Sequence, residues 1–196
     1  MAIQDTLAPA RPATPSRRQP DMIVRHATPL DVPAIEALVE LSIATLLPAD
    51  LDDAEVAASR HIMGVDRELI GDGTYFTVWS GDELVACGGW SRRATLFGGD
   101  STAGRNSRPL DPATEPARVR AMYTHPDWTR KGLGRLILTR CEAEAAAAGF
   151  TTVELAATRS GAHLYKAAGY EPVEDWFEPT PDGVGVPLTR MRKSVG

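Results

Sequence analysis

The spacing of apolar residues divides the chain into alternating extended and helical stretches. Met22-Ile23-Val24-Arg25-His26-Ala27 has the composition of a short first strand. Beyond it, Val32, Ile35, Leu38, Val39, Ser42, Ile43 and Leu46 fall on one face at helical spacing. Thr28 or Asp31 offers an N-cap, Pro29 and Pro33 sit where a missing N–H is tolerated, and Pro48 ends the helix. A weaker helical pattern runs from about Asp52 through Val56 and Ile62 and stops near Gly64. Thr74–Trp79 and Leu84–Trp90 are rich in β-branched and aromatic residues around Ser80-Gly81-Asp82, which predicts a hairpin.

The pattern then breaks from Ser91 to Pro116, a stretch rich in Gly, Pro, Ser and Arg. A connection this long inside a compact domain is usually functional or disordered. It is a candidate wall of a binding site, or a subunit contact such as a homodimer would use. Apolar order resumes at Arg118–Tyr123 and continues into a helix over Gly132–Ala148, whose buried face is Leu133, Leu136, Ile137, Cys141 and Ala145 and whose stop is Gly149. Thr151–Leu155 is the next strand, giving a strand–helix–strand unit with parallel strands. A short helix around Tyr165 follows, and Glu171–Phe177 with Val186–Met191 closes the sheet as an antiparallel pair around Pro179–Gly185.

The densest chemistry lies between Arg118 and Leu138. An apolar strand, Val119–Thr124, passes through His125-Pro126-Asp127-Trp128 into Thr129-Arg130-Lys131-Gly132-Leu133-Gly134-Arg135. The first N–H groups of a helix lack intrahelical partners and the dipole is positive there, so this is a candidate phosphate cradle. Two glycines would remove Cβ atoms where an anion approaches the backbone, and Arg130, Lys131 and Arg135 add full charges. No Gly-Lys-Ser/Thr follows at Walker spacing, and Ile137 occupies the place of the third glycine of a dinucleotide fingerprint. By itself a short Gly-x-Gly element more often serves packing than binding.

With its flanks, the segment resembles the GNAT superfamily of acyl-CoA-dependent N-acyltransferases. That family's pyrophosphate loop reads Gln/Arg-x-x-Gly-x-Gly/Ala after a strand ending in a Val-x-Pro-like step. Thr129–Gly134 occupies the loop here and Thr124-His125-Pro126 the step, with Thr129 in place of Gln or Arg. Downstream, Leu155-Ala156-Ala157-Thr158 and then Ser160–Tyr170 resemble the family's strand and short helix ending in Tyr-x-x-x-Gly-Phe/Tyr. Thr158 stands where Asn or Ser is common, and Gly161 where Ala is common. The resemblance extends from Met22 to about Lys193. It implies a mixed, mostly antiparallel α/β (α+β) fold flanked by helices and occupying residues 22–196, with acetyl-CoA as co-substrate and a primary amine, of a small molecule more often than of a protein, as acceptor.

The resemblance also implies roles. Met122, Tyr123 and Thr124 would hold the pantetheine arm and offer an oxyanion donor. Thr129, Arg130, Lys131, Gly132, Leu133, Gly134 and Arg135 would anchor the pyrophosphate, with Thr158 beside them. Tyr165 matches the general acid, since a phenol with an ordinary pKa of about 10 carries a proton at neutral pH and can give it to a thiolate; the alternative is a ring that only packs over the cofactor. The base stays open among His125, Glu154, Glu115, Tyr123 and a water chain. Two other functions compete with acetyl transfer: an acyl-CoA-binding sensor with little turnover, and a loop that binds some other phosphorylated ligand.

Composition narrows the classes further. A hydrophobic share of 43% with 24% charged residues is that of an ordinary globular protein. The net charge of −5 argues against a general nucleic-acid binder and suits a cationic acceptor. Residues 1–21 are rich in proline and small residues with three arginines and no apolar core, which predicts a flexible tail and no secretory signal. Cys87 and Cys141 sit in apolar runs without metal-ligand spacing, as in reduced, buried thiols of a cytoplasmic protein. No apolar run approaches the roughly 20 residues of a membrane span. The four histidines show no H-E-x-x-H pattern, so no metal is expected, and His163 reads as a surface or packed histidine. Arg92 and Arg93 read as exposed loop arginines, Trp79, Trp90 and Trp176 as core or pocket walls, and Asp127-Trp128 as residues that aim the cradle.

Overall fold

The computed structural model describes residues 21–196. The tail expected over residues 1–21 thus falls almost entirely outside the described residues. Seven strands form one sheet: β1 (Met22–His26), β2 (Tyr75–Ser80), β3 (Glu83–Ser91), β4 (Ala117–Thr124), β5 (Thr152–Ala157), β6 (Glu171–Pro179) and β7 (Gly185–Ser194). Their order across the sheet is β1-β2-β3-β4-β5-β7-β6, antiparallel throughout except where β4 meets β5. The mixed, mainly antiparallel sheet expected from the sequence is therefore the one formed.

Helices cover both faces. On one lie α1 (Val32–Leu46), α2 (Asp53–Ser59) and α3 (Arg67–Gly71), and on the other α4 (Leu133–Ala147) and α5 (Arg159–Ala167). Strand alternation divides the core between them: Tyr75, Cys87 and Tyr123 pack toward Ile35, Leu38 and Leu69, whereas Phe76 and Ala86 pack with Ile137 and Cys141. Both thiols are free and buried. The second helix ends at Ser59, short of Gly64, and α3 follows as a further short helix. Asp66 starts α3 by accepting from Leu69 N at 3.3 Å.

Two features of the central strands open the sheet. Parallel pairing of β4 with β5 is confined to Ala117↔Val153 and Arg118↔Glu154, while β5 keeps its pairing with β7 from Thr152 to Ala157. Beyond Arg118, then, β4 and β5 part. The register of β4 against β3 also slips, from Gly89↔Arg120 to Cys87↔Tyr123, so β4 carries one extra residue. The bulge contains Ala121 at φ 54°, a left-handed conformation costing about 1–2 kcal/mol for a residue with a Cβ. Its carbonyl accepts a 2.9 Å bond from the buried Tyr75 hydroxyl. Glycine is required opposite, since a Cβ on Gly88 would lie 2.3 Å from Met122 Sδ and 3.2 Å from Ile137 Cγ2.

The Ser91–Pro116 connection is ordered. Ala94 N donates to Arg108 O at 2.9 Å, Thr95 N to Asn106 O at 3.0 Å and Leu110 N to Arg92 O at 2.8 Å, which makes it a hairpin-like flap. Ion pairs fasten it down. Arg93 binds Asp72 through two 2.7 Å bonds, so it is not the free loop arginine expected, and Arg92 lies over the Trp90 ring at 5.7 Å.

Candidate active site

The gap between β4 and β5 continues into a cleft of about 950 Å³. It is lined by Met122, Tyr123 and Thr124 of β4, by Trp128 to Arg135 except Lys131, and by Thr158 and Tyr165. Most of the residues singled out in the sequence thus meet in one place. His125 N donates to Val85 O at 2.9 Å, toward β3. Neighbouring amides of a strand alternate in direction, so the Thr124 N–H turns toward the gap. The Tyr123 side chain points the other way: its hydroxyl accepts from Gly64 N at 2.9 Å and lies 3.3 Å from Gly64 O. It ties down the chain after α2.

The cradle is built by backbone handedness. Pro126–Trp128 forms one 3₁₀ turn, and Thr129 Oγ donates to Pro126 O at 3.0 Å, so this hydroxyl closes the turn. Arg130 (φ 62°) and Gly132 (φ 83°) are both left-handed on either side of Lys131. Such alternation gathers N–H groups into an anion-binding concavity. Gly132 is the N-cap of α4 and supplies no capping side chain, and Leu136 is the first of the helix amides to reach back to Gly132 O. The N–H groups of Leu133, Gly134 and Arg135 therefore lack intrahelical acceptors. Lys131 Nζ stands 4.3 Å above the Trp128 ring, whose Nε1 donates to Glu83.

The two glycines differ in what surrounds them. A Cβ on Gly132 would meet nothing within 4 Å, and the left-handed φ there favours glycine. One on Gly134 would lie 2.8 Å from Leu164 Cδ2, so that glycine lets α4 and α5 pack. Arg135 serves the same junction, donating to Ala167 O at 2.9 Å at the end of α5. At the other end Thr158 caps α5, its Oγ accepting from Gly161 N at 3.2 Å. A methyl group at 161 would crowd Tyr165 Cε2 at 3.2 Å and Thr158 Oγ at 3.3 Å, which accounts for glycine there.

Tyr165 borders the cleft with little exposure, edge-on to Tyr170. Burial, with a smaller contribution from nearby Cys141, pushes its phenol above the usual 10. Among the described residues no hydrogen bond engages its hydroxyl. The bases left open by the sequence are each committed elsewhere. Glu154, read as either a water-linked base or a solvent-facing residue, is buried, in contact with Arg118 and 2.5 Å from Arg192 Nη2. Glu115 pairs with Arg108 at 2.6 Å, and that bond together with the Asp111 N–H holds its carboxyl down at about 2. His125 accepts from Asp127 N at 3.2 Å within the turn.

Sequence reasoning missed most of the far wall of the cleft, formed by the end of α1 and its following turn (Leu46, Leu47, Asp50), by Ile62 and Met63, and by Leu188 of β7; Leu96–Gly98, in the insertion offered as a candidate wall, complete it. It also missed the network that holds the flap there. Arg120, buried beside the bulge, places Nε 2.8 Å from Asp66, donates to Glu68 at 2.8 Å and to Thr95 O at 3.0 Å. Arg105 reaches the same two carboxylates at 3.0 and 3.1 Å and donates to Gly98 O and Gly99 O. The one available signal was the concentration of arginines in the insertion.

Comparison with known proteins follows this geometry. The chain resembles the solved GCN5-related N-acetyltransferase of Rhodopseudomonas palustris over 90% of its own length and 96% of that chain, at 18% identity and a TM-score of 0.64. The YncA protein of Salmonella typhimurium, solved with acetyl-CoA, matches over 90% and 95% at 17% identity with a TM-score of 0.60. The PaiA N-acetyltransferase of Thermoplasma acidophilum, solved with coenzyme A, matches over 89% and 99% at 14% identity with a TM-score of 0.59. No curated protein sequence matches the chain. These structures share the fold, and the model of the acetyltransferase (GNAT) domain matches residues 71–172, from the end of α3 to the start of β6. With that match over more than half its length, the chain belongs to the GNAT family of acetyltransferases.

Proposed function

We propose that this acetyltransferase moves the acetyl group of acetyl-CoA directly to a primary amine of a small molecule. One observation carries the reading: the parted strands, the uncapped start of α4 and the unpartnered Tyr165 hydroxyl all border one cleft. The site fits a CoA donor on its own chemistry. A left-handed loop with free amides and open space at Gly132 suits a pyrophosphate, and the Thr124 amide facing the gap suits an amide-bearing arm. The relatives solved with coenzyme A and acetyl-CoA support the same donor.

In this reading Thr129–Arg135 anchors the donor by backbone N–H groups, with Arg130 and Lys131 adding charge. Met122, Tyr123 and Thr124 align the arm by backbone contacts, and the Met122 N–H stands where charge develops on the thioester oxygen. Thr158 sets the start of α5 and so the place of Tyr165, whose phenol hands a proton to the departing thiolate. The amine attacks the thioester without a covalent enzyme intermediate, which agrees with the burial of both cysteines.

Thiol release with acetyl-CoA over a panel of primary amines, together with calorimetric titration of acetyl-CoA, tests the reading. Amine-dependent thiol release is the expected result. Binding of acetyl-CoA without release under any amine would assign the chain to donor sensing instead.

A further inference from the structure

The two arms of the cleft are lined by different chemistry. Toward the cradle it offers amides, hydroxyls and the guanidinium groups of Arg130 and Arg135. The opposite arm runs from Ala121 between the end of α1, the flap and β7, and its walls are Leu46, Leu47, Ile62, Phe97, Val119 and Leu188. Four of these six are themselves buried in the fold, so the surface they present is held in place. Phe97 and Trp176, with ring centroids 6.0 Å apart, close the cluster behind it.

Among the described residues, the ionisable side chains lining the cleft beyond the tyrosines are Asp50, Arg120, Arg130, Arg135 and His163. Arg120 is spent on Asp66, Glu68 and Thr95 O, whereas Asp50 and His163 are exposed. The possible bases Glu154, Glu115 and His125 are paired or built into a turn, and the Tyr123 hydroxyl is bonded to Gly64.

We propose that the acceptor is a monoamine carried on an apolar alkyl or aryl body, and that burial against this arm favours its neutral, nucleophilic form. The inference rests on the N-acetyltransferase reading above. An ammonium group moved against aliphatic and aromatic walls loses hydration and gains no counter-charge, so its neutral form is favoured, and the neutral form is the nucleophile. A polyamine would bring further ammonium groups to apolar walls whose one unpaired carboxylate, Asp50, is exposed. An amino sugar would leave its hydroxyls unpaired in the same place. Only an apolar body gains from the lining.

The protons and bonds balance. The ammonium gives one proton to water on entry. Its nitrogen forms the N–C bond as the C–S bond breaks, the thiolate takes the Tyr165 proton, and the second nitrogen proton returns to the phenolate through water. The products are the amide, the CoA thiol and one proton in solution.

The test measures thiol release by the full chain with acetyl-CoA and butylamine, hexylamine, octylamine, 2-phenylethylamine, spermidine, glucosamine and an alanyl peptide. The expected result is that kcat/KM rises about threefold per methylene along the alkyl series, as burial of a CH₂ group requires. Phenylethylamine should exceed spermidine and glucosamine by about tenfold or more. Phe97→Asp should lower kcat/KM for the apolar amines by about tenfold while leaving the KM for acetyl-CoA within about twofold. A flat alkyl series, or a preference for spermidine, glucosamine or the peptide, overturns the inference and leaves the N-acetyltransferase reading intact. Acetyl-CoA binding without thiol release under any amine overturns that reading and this inference together.

Discussion

The donor and acceptor arms of the cleft are assembled in opposite ways. The donor arm is local: β4, one 3₁₀ turn and the first turn of α4 follow one another, and Tyr165 arrives one strand later. Its binding groups are mostly backbone amides set by handedness at Arg130 and Gly132. The acceptor arm draws on five separated segments, and its walls are side chains held by contacts such as Arg120 to Glu68, 52 residues apart. A site made of backbone tolerates side-chain change, whereas one made of distant side chains can change specificity without disturbing the donor. Folds host many functions through that kind of division.

The sharpest way to break the comparison is at the point where the arms meet. Tyr165→Phe should lower kcat by about 10²-fold or more with the KM for acetyl-CoA little changed, because it removes proton transfer and leaves the ring. Steady-state kinetics with calorimetric donor affinity checks this, and unchanged turnover would relegate the ring to packing. Next in size is Gly132→Val, which forces a β-branched residue into a left-handed conformation at a cost of about 1–2 kcal/mol or more. The KM for acetyl-CoA should rise by about tenfold while the acceptor KM stays put.

Arg105→Ala reverses that split. It frees the Gly98 and Gly99 carbonyls and so loosens the flap, raising the acceptor KM by about three- to tenfold with the donor KM unaffected. Equal effects on both KM values would mean that the arms are not separable. The smallest expected signature lies in the pH profile. Burial holds the Tyr165 proton above its usual value, so kcat should not fall as pH passes 10, the point at which an ordinary tyrosine would lose it. Below the acceptor's own pKa, log kcat/KM should rise with unit slope, since the neutral amine is the nucleophile.

How much could be read from the sequence follows the same division. Strands and the crossover helix carry their information in adjacent residues, and they formed where the apolar period and turn residues placed them. The bulge did not announce itself, because Val119–Thr124 reads as an even strand. Only Gly88 on the neighbouring strand hints that something must come close. The Ser91–Pro116 flap read as a loop because its order comes from Arg93–Asp72 and Arg105–Asp66, pairs 21 and 39 residues apart. Glu154 was misjudged for a related reason. Its partners Arg118 and Arg192 are its neighbours in the parallel and antiparallel registers, which exist only after the sheet is assembled.

The contact between Gly134 and Leu164 has a consequence for which thioesters this enzyme accepts. The Leu164 side chain fills the space that Gly134 leaves open and Arg135 clasps the last turn of α5, so in the proposed reading the phosphate anchor and the neighbouring Tyr165 are held against each other. The span from anchor to proton donor is therefore fixed and acts as a ruler for the donor's arm. A full-length carrier puts its sulfur at the graduation where Tyr165 stands. A truncated carrier can reach the anchor or the acid, but not both.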